Sequence, residues 1–350
     1  MVIVVAHYAF LRVHLRHFCN FEKNNFMKLY ILLTKHHRLL SVAAIVDVFE
    51  TANTFLQQDG KERLFDIHLI GTEKEIALPD NFKRYSYSSL SEGPEKNDLI
   101  FVPAFRSEDM LQTISDNASY IPFLINQFKK GVTLISLCTG SFLLAASGLL
   151  DGKEATTHVE AADKFAQVFP NVKLQPHAII TQSENIYTSG GATSSFHMKL
   201  LLIQQYCGRS LAVQIAKTFA IDMDRNNQLY FEQFKPSLSS EDKLVRAVQT
   251  TINRRFNEIK NVEEALDEVP SSRRNMIRRF KAATGITPIR YLQKTKIEAA
   301  KQLLETTDRS ILDIMMSAGY NDIKNFRNLF KLFTGLTPKE YREKYGMRLE

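Results

Sequence analysis

The pattern of apolar and polar positions divides the 350-residue chain into two parts of different character. From Met27 to about Ile221, short apolar runs alternate with stretches in which apolar residues recur at the helical spacing. From Glu241 to Tyr345 the helical spacing continues alone, and capping signals divide the segment into successive helices. We therefore expect an α/β domain followed by an all-α domain.

The first part contains strands and helices that alternate along the chain. The predicted strands are Leu29–Leu33, Phe65–Ile70, Leu99–Val102, Thr133–Leu137, Ala178–Thr181 and Asn185–Thr188. The predicted helices are Val42–Leu56, Ile121–Lys129, Ser141–Ser147, His158–Phe169 and Ser194–Tyr206. Such alternation is typical of an α/β fold with a mostly parallel sheet that is covered on both faces.

The length of the chain also indicates two domains, because one hydrophobic core rarely serves so many residues. The polar segment 222–240 is interpreted as a linker between a domain at 27–221 and a domain at 241–346. Residues 1–26 lack the leading positive charge of a secretory signal. We expect either that translation begins at Met27 or that this leader forms an edge strand or a partner-binding arm.

Positive charge is concentrated in the second part. Residues 240–350 carry 22 Lys and Arg against 15 Asp and Glu, a net charge of +7, whereas the charges of the other residues cancel. This distribution indicates that only the C-terminal domain meets a polyanion. A basic surface that serves solubility would have the same composition.

Cysteine content and hydropathy exclude several classes of protein. Cys19, Cys138 and Cys207 form no CxxC pair, which argues against a disulfide framework and against a structural zinc site. No stretch reaches the ~18 uncharged apolar residues of a membrane span. We expect a cytoplasmic protein with no metal, no cofactor and no membrane partner.

The C-terminal part contains an internal repeat with an offset of 50 residues. Phe280–Tyr291 is FKAATGITPIRY and Phe330–Tyr341 is FKLFTGLTPKEY. Gly285 and Gly335 are placed to end a helix in the left-handed conformation. The Thr-Pro pair that follows each glycine is placed to begin the next helix.

The helix before each glycine has an apolar face and a basic face. The predicted buried residues are Met276, Phe280 and Ala283 in the first copy and Phe326, Leu329, Phe330 and Phe333 in the second. The opposite faces carry Arg273, Arg274, Arg278 and Lys281, and Lys324, Arg327, Asn328 and Lys331. Such a helix suits insertion into a major groove. A solvated face has the same pattern, but two copies within the basic part favour DNA binding.

The segment from about Ser240 to Gly346 resembles the DNA-binding domain of AraC/XylS-type regulators. Those domains join two helix-turn-helix units by a long central helix, which the resemblance places at Pro288–Glu305. Gly319 corresponds to the turn of the second unit. The first unit departs from the pattern, because Val269-Pro270 stands where a turn glycine is expected.

The resemblance also implies which residues contact bases. By position they are Arg273, Arg274, Ile277 and Arg278 in the first recognition helix and Ile323, Lys324, Arg327 and Asn328 in the second. The two helices would lie about one DNA turn, ~34 Å, apart and enter successive major grooves. The two isoleucines have core packing as an alternative role.

Residues 133–158 contain a second motif, in which an apolar strand runs into Cys138-Thr139-Gly140 and then into an apolar helix. This is the layout of a nucleophile elbow, which places a thiol beside a helix N-terminus. The stretch is similar to the ThiJ/PfpI group of class I glutamine amidotransferase-like domains, in which a histidine follows, as His158 does here. The resemblance implies a flavodoxin-like three-layer sandwich for this domain.

Two departures from that group argue against catalysis. A cysteine hydrolase needs a base, a group that orients it and oxyanion donors. Ser41 stands where related domains place an acid, and His197 stands where they place an aspartate. We therefore expect Cys138 and His158 to be vestigial rather than catalytic. The predicted ligand-binding residues are Ser41, Cys138, Thr139, His158, Gly190 and Gly191.

These patterns predict a transcription regulator that binds specific double-stranded DNA and responds to a small molecule. Regulators that combine the two domains often respond to amino acids or quaternary amines, so the resemblance implies a nitrogenous effector and a homodimer. RNA polymerase is a further candidate partner. Two alternatives stay open: a cysteine-dependent amidase or hydrolase with a DNA-targeting domain, and a nucleoid-type DNA binder without an effector.

Overall fold

The computed structural model describes residues 26–72, 82–90, 93–191, 193–223, 234 and 242–346. The chain divides into two units, one comprising Met1–His158 with Phe169–Asn226 and the other Val159–Val168 with Asn227–Glu350. Almost all of the predicted leader and most of the predicted linker lie outside the described residues.

The described residues contain nine strands, all in the first unit. They are β1 Met27–Leu32, β2 Phe65–Gly71, β3 Ser86–Ser89, β4 Leu99–Val102, β5 Thr133–Leu137, β6 Glu154–Ala155, β7 Lys173–Leu174, β8 Ile180–Ser183 and β9 Ile186–Ser189. Seven of them form a sheet in the order β3-β2-β1-β4-β5-β9-β8. Every neighbouring pair is parallel except β8 and β9.

Helices connect the strands of this sheet. The helices up to residue 218 are α1 Leu39–Gln58, α2 Met110–Asp116, α3 Tyr120–Lys129, α4 Ser141–Ala146, α5 Ala162–Val168, α6 Ser194–Cys207 and α7 Arg209–Thr218. Of these, α5 belongs to the second unit. The parallel strand order β2-β1-β4-β5-β9 is that of a flavodoxin-like sheet, which confirms the predicted fold class.

Helices cover both faces of the sheet. Leu29 and Ile31 of β1 share a hydrophobic core with Phe49 of α1 and with residues of α6 and α7. Alternate strand residues point to the other face, where Ile100 and Val102 are completely buried. Helices α3 and α4 pack against β5. The first unit is therefore the predicted three-layer sandwich.

Helix α1 is long and apolar enough to cross a membrane if length and composition alone are considered. Most of its apolar residues after Leu40 are buried in the sandwich, and Ile45, Val48 and Phe49 have no exposed surface. Asp47 on the same helix is exposed. A buried apolar stripe beside a polar one is typical of a core helix in a folded domain.

Several features of the first part differ from the sequence predictions. Strands β3, β6 and β7 and helices α2 and α7 are additional elements. The sequence of β3 is Ser-Tyr-Ser-Ser, in which apolar residues do not alternate with polar ones. This strand lies at the edge of the sheet, where polar residues are common. The helix predicted at His158–Phe169 is shorter, because a 3-10 turn at Val159–Ala161 precedes α5.

The C-terminal part of the second unit consists of helices, as predicted. They are α8 Lys243–Arg255, α9 Glu263–Leu266, α10 Arg273–Thr284, α11 Pro288–Thr306, α12 Ile311–Ser317, α13 Ile323–Thr334 and α14 Pro338–Tyr345. They pack around two hydrophobic cores. Tyr291 and Leu292 of α11 belong to one core, and Ile297 and Leu304 of the same helix belong to the other. The first module is therefore α8–α10 with the start of α11, and the second module is α12–α14 with its end.

The internal repeat forms the same local structure in both modules. Gly285 and Gly335 end their helices with φ of +82° and +75°. The rings of Phe280 and Tyr291 meet edge to face at 5.4 Å, and those of Phe330 and Tyr341 do the same at 5.4 Å. The repeat is thus a structural repeat, as the sequence predicts.

One predicted core position in this repeat is wrong. Ala283 is exposed, whereas Phe333, its counterpart in the second copy, is buried. Both residues lie in the last turn of their helix. A phenylalanine side chain is long enough to reach the core from there, whereas a methyl group is too short.

Lys199 of α6 is a fully buried basic group that the sequence pattern did not reveal. Its side chain has no exposed surface, and its Nζ donates to the carbonyl oxygen and to Oγ of Ser195 at 3.1 and 3.2 Å. The Nζ lies 4.7 Å from the ring centre of Phe196. Burial lowers the pKa of Lys199 to about 7, because surroundings of low polarity disfavour the charged form.

Replacing Lys199 is predicted to stabilise the protein and to change its pH dependence. Between a folded-state pKa of about 7 and the ordinary value of 10.5, the unfolded chain binds more protons, so stability rises with pH across this window. Lys199→Met should raise the free energy of unfolding at pH 7 and flatten that rise. Denaturant titrations from pH 7 to 10 measure both effects. The exposed Lys173→Met is the control, and equal behaviour of the two variants would contradict the assignment.

Candidate nucleic-acid interface and elbow site

Helices α10 and α13 carry the predicted base-contacting residues. Arg273, Arg274, Arg278, Lys324, Arg327 and Asn328 are exposed. On the opposite faces Met276, Phe280, Phe326 and Phe330 are completely buried. Ile277 and Ile323 are half-buried and pack partly against the two cores. Each helix therefore has an apolar side fixed to its module and a basic side that faces outward.

The N-terminal ends of α10 and α13 are set by capping residues. The Oγ of Ser272 accepts a hydrogen bond from the backbone N–H of Asn275 at 3.4 Å. The Oδ1 of Asp322 accepts from the backbone N–H groups of Lys324 and Asn325 at 2.7 and 3.1 Å. Because these caps satisfy N–H groups of the first turn, they fix where each basic face begins.

Two arginines of α10 form ion pairs inside the first module. Arg279 donates from Nε and Nη2 to the two carboxylate oxygens of Asp242, both at 2.7 Å. This bidentate ion pair with Arg279 holds the pKa of Asp242 below its usual range. Arg273 pairs with Glu263 beside a groove of about 330 Å³. The sequence pattern did not reveal Asp242, although an aspartate just before a helix is a typical cap.

Cys138 has the backbone geometry of an elbow. It follows β5 directly, has a φ of +56°, and begins a 3-10 turn, Cys138–Gly140, that leads into α4. A Cβ at Gly140 would lie 2.6 Å from the carbonyl oxygens of Val102 and Pro103. Only glycine fits there, so the close approach of this turn to the end of β4 requires a glycine at position 140.

Hydroxyl groups of two predicted ligand-binding residues hold the loop after β4. The Oγ of Ser41 accepts from the backbone N–H of Ala104 at 3.0 Å. The Oγ1 of Thr139 accepts from the backbone N–H of Phe105 at 2.8 Å. Ser41 and Thr139 therefore lie against neighbouring residues of one loop.

The remaining predicted residues lie at the same carboxyl-terminal end of the strands. The Oγ1 of Thr157 donates to the carbonyl oxygen of Cys138 at 3.3 Å, which places the half-buried His158 next to the elbow segment. Gly190 and Gly191 follow the last residue of β9, whose partner in β5 is Leu137. The carboxyl ends of β1, β4, β5 and β9 thus bring these segments together.

The second cysteine among the described residues, Cys207, is the last residue of α6. Burial raises the pKa of Cys207 to about 12, so its thiol stays protonated at neutral pH. Among the described residues, no three His, Cys, Asp or Glu side chains are grouped so that they could hold a metal ion.

The fold and these surfaces define a DNA-binding transcription regulator with an AraC-type helix-turn-helix domain. A helix-turn-helix domain family model matches residues 266–344, and the DJ-1/PfpI family model matches residues 28–205. The chain belongs to the DJ-1/PfpI family.

Several curated regulators are similar along most of the chain. The HTH-type transcriptional regulator GbdR of Pseudomonas aeruginosa is 25% identical over 324 residues, which cover 92% of this chain and 86% of GbdR. The regulator CdhR of the same species is 26% identical, with 89% of this chain and 90% of CdhR covered. GlxA of Rhizobium meliloti is 21% identical, with 93% and 98% covered.

Solved structures resemble the chain over about half of its length. A crystal structure of an AraC family transcriptional regulator from Pseudomonas putida is 20% identical. The match covers 56% of this chain and 100% of the chain in that structure, with a TM-score of 0.45.

Substitutions on the two basic faces are predicted to weaken specific DNA binding. Arg278→Ala and Arg327→Ala should each cost ~1–3 kcal/mol, because each removes a group that can form a fork with a guanine edge. Gel-shift titrations of the full-length protein measure this on a duplex that the wild type selects from a random pool. The exposed Arg209→Ala, which removes the same charge from the first unit, is the control. Unchanged affinity of both recognition-helix variants would refute the assignment.

Proposed function

We propose that the DJ-1/PfpI domain senses a small nitrogen-containing metabolite and that its occupancy alters promoter binding by the helix-turn-helix domain. The observation that carries this proposal is the elbow, where Cys138 keeps the left-handed turn while Ser41 replaces the acid of related domains. The Ser41 hydroxyl is neutral and already accepts a hydrogen bond from Ala104. This arrangement favours binding over bond cleavage.

The position of the elbow supports a ligand site. The strand order reverses between β1 and β4, and crevices at the carboxyl ends of such strands are the usual binding places in open α/β sheets. Ser41 follows β1, and the loop that it holds follows β4. The proposed ligand-binding residues are the six predicted from the sequence: Ser41, Cys138, Thr139, His158, Gly190 and Gly191.

The proposed partners follow from the class of protein. The eight predicted residues of α10 and α13 contact promoter half-sites on double-stranded DNA. The α/β domain forms a homodimer, the regulator acts in the cytoplasm, and RNA polymerase is a further partner at the promoter.

A second candidate function is cysteine-dependent hydrolysis of small amides. The observation that favours it is the strained backbone of Cys138, since a φ of +56° at a non-glycine residue is typical of a functional site. Such a hydrolase also needs a base and an orienting group. Turnover of small amides that is lost in Cys138→Ala would establish this function.

The sensor proposal predicts a ligand response that does not need the thiol. A panel of amino acids and quaternary amines is tested by the thermal unfolding of the full-length protein. A true effector at about 100 times its Kd should stabilise the folded state by ~2.7 kcal/mol, and it should change the affinity for the selected duplex. Cys138→Ala should keep both responses, although its Kd for the effector will rise where the thiol contacts the ligand.

The control for this experiment is Cys207→Ala, which removes a half-buried thiol far along the chain from the elbow. Loss of the effector response in Cys138→Ala at every concentration, with DNA binding intact, would favour covalent chemistry at Cys138. The absence of any response to the panel in the wild type would count against a nitrogenous effector.

A further inference from the structure

The central helix α11 carries a lysine that contacts both helical modules. Lys296 is only 5% exposed, and its Nζ donates to the carbonyl oxygens of Ile259 and Gly319, both at 2.8 Å. Ile259 lies in the loop between α8 and α9 of the first module. Gly319 lies in the turn between α12 and α13 of the second module. One ammonium group therefore binds the backbones of both modules.

The same two loops are in direct contact beside this lysine. Gly319 has a φ of +78°, and a Cβ at this position would lie 2.5 Å from the carbonyl oxygen of Asn257. The helix-turn-helix turn of the second module is thus pressed against the backbone of the first. The ring of Tyr320, next in the chain, lies with its centre 5.2 Å from the Nζ of Lys296.

A buried lysine at this place is costly unless its donors are satisfied. Burial lowers the pKa of Lys296, and the carboxylate of Glu264 acts in the opposite direction. Two carbonyl oxygens and an aromatic face offset the cost of desolvation. An apolar side chain of similar length would fill the same volume without that cost, so the charge contributes directed hydrogen bonds rather than bulk.

We propose that Lys296 is a positioning residue that fixes the distance and angle between the recognition helices α10 and α13. Each recognition helix is bound to its own core, and the two cores meet along one helix. Hydrogen bonds from one Nζ to both loops prevent the modules from rotating about α11. Because each base pair advances the duplex by ~3.4 Å, a fixed geometry restricts the spacing of the two half-sites that one molecule accepts.

The test compares the DNA sites that different full-length proteins select from a pool of random duplexes. The wild type should select two half-site motifs at one spacing. Lys296→Met should select the same two motifs at several adjacent spacings, because each module keeps its own core while the link between them is lost. General destabilisation lowers the amount of bound DNA but does not change the spacing within the bound sites.

Two further variants make the comparison specific. Lys301→Met removes an equally buried lysine of α11 that pairs with Glu298 within the helix, at 2.8 Å, and it should keep the wild-type spacing. Lys296→Arg retains a cation with several donors and should restore a single spacing. One unchanged spacing in folded Lys296→Met overturns the proposal.

A second route to the same result uses the turn itself. Gly319→Ala introduces a Cβ against the backbone of Asn257 and should force the two modules apart. It should therefore broaden or shift the selected spacing even if Lys296→Met does not fold. Wild-type spacing in folded Gly319→Ala would also overturn the proposal.

Discussion

The helical half of this protein depends on one helix that two hydrophobic cores must share. Tyr291 of α11 belongs to the first core and Leu304 to the second, and modules of roughly 50 residues have only marginal cores of their own. Helix α11 has 19 residues, so it is about 28 Å long at 1.5 Å per residue. The stability of both modules therefore depends on one element.

The sandwich is built around a different constraint, the close approach of two strand ends. Gly140 lies so near the carbonyl groups of Val102 and Pro103 that no side chain fits. Cys138, two residues earlier, has a left-handed backbone, and the hydroxyls of Ser41 and Thr139 accept hydrogen bonds from the loop after β4. This geometry serves a nucleophile and a ligand site equally well. The neighbouring groups decide between them, and here they include the neutral hydroxyl of Ser41.

Features with a local physical cause could be predicted from the sequence, and features with a tertiary cause could not. Gly285 and Gly335 indicate helix ends, because glycine adopts the left-handed conformation without steric cost. The sequence of the polar strand β3 has no alternation of apolar residues, because its strand conformation depends on pairing with β2. Neither the burial of Lys199 nor the hydrogen bond from the backbone N–H of Ala104 to Ser41 has a signature at any fixed spacing. The elbow could thus be located in advance, whereas the contacts around it could not.

The charge that α10 has available for a nucleic acid is smaller than its count of basic residues indicates. On α10, Arg279 donates to both oxygens of Asp242, and such a forked, charge-assisted pair is stronger than a single hydrogen bond. Arg273 pairs with Glu263 in an exposed contact, which is worth at most about 1 kcal/mol and can be exchanged. Within the described residues, Arg274 and Arg278 form no ion pair. The basic face of α10 therefore carries about as much available charge as that of α13.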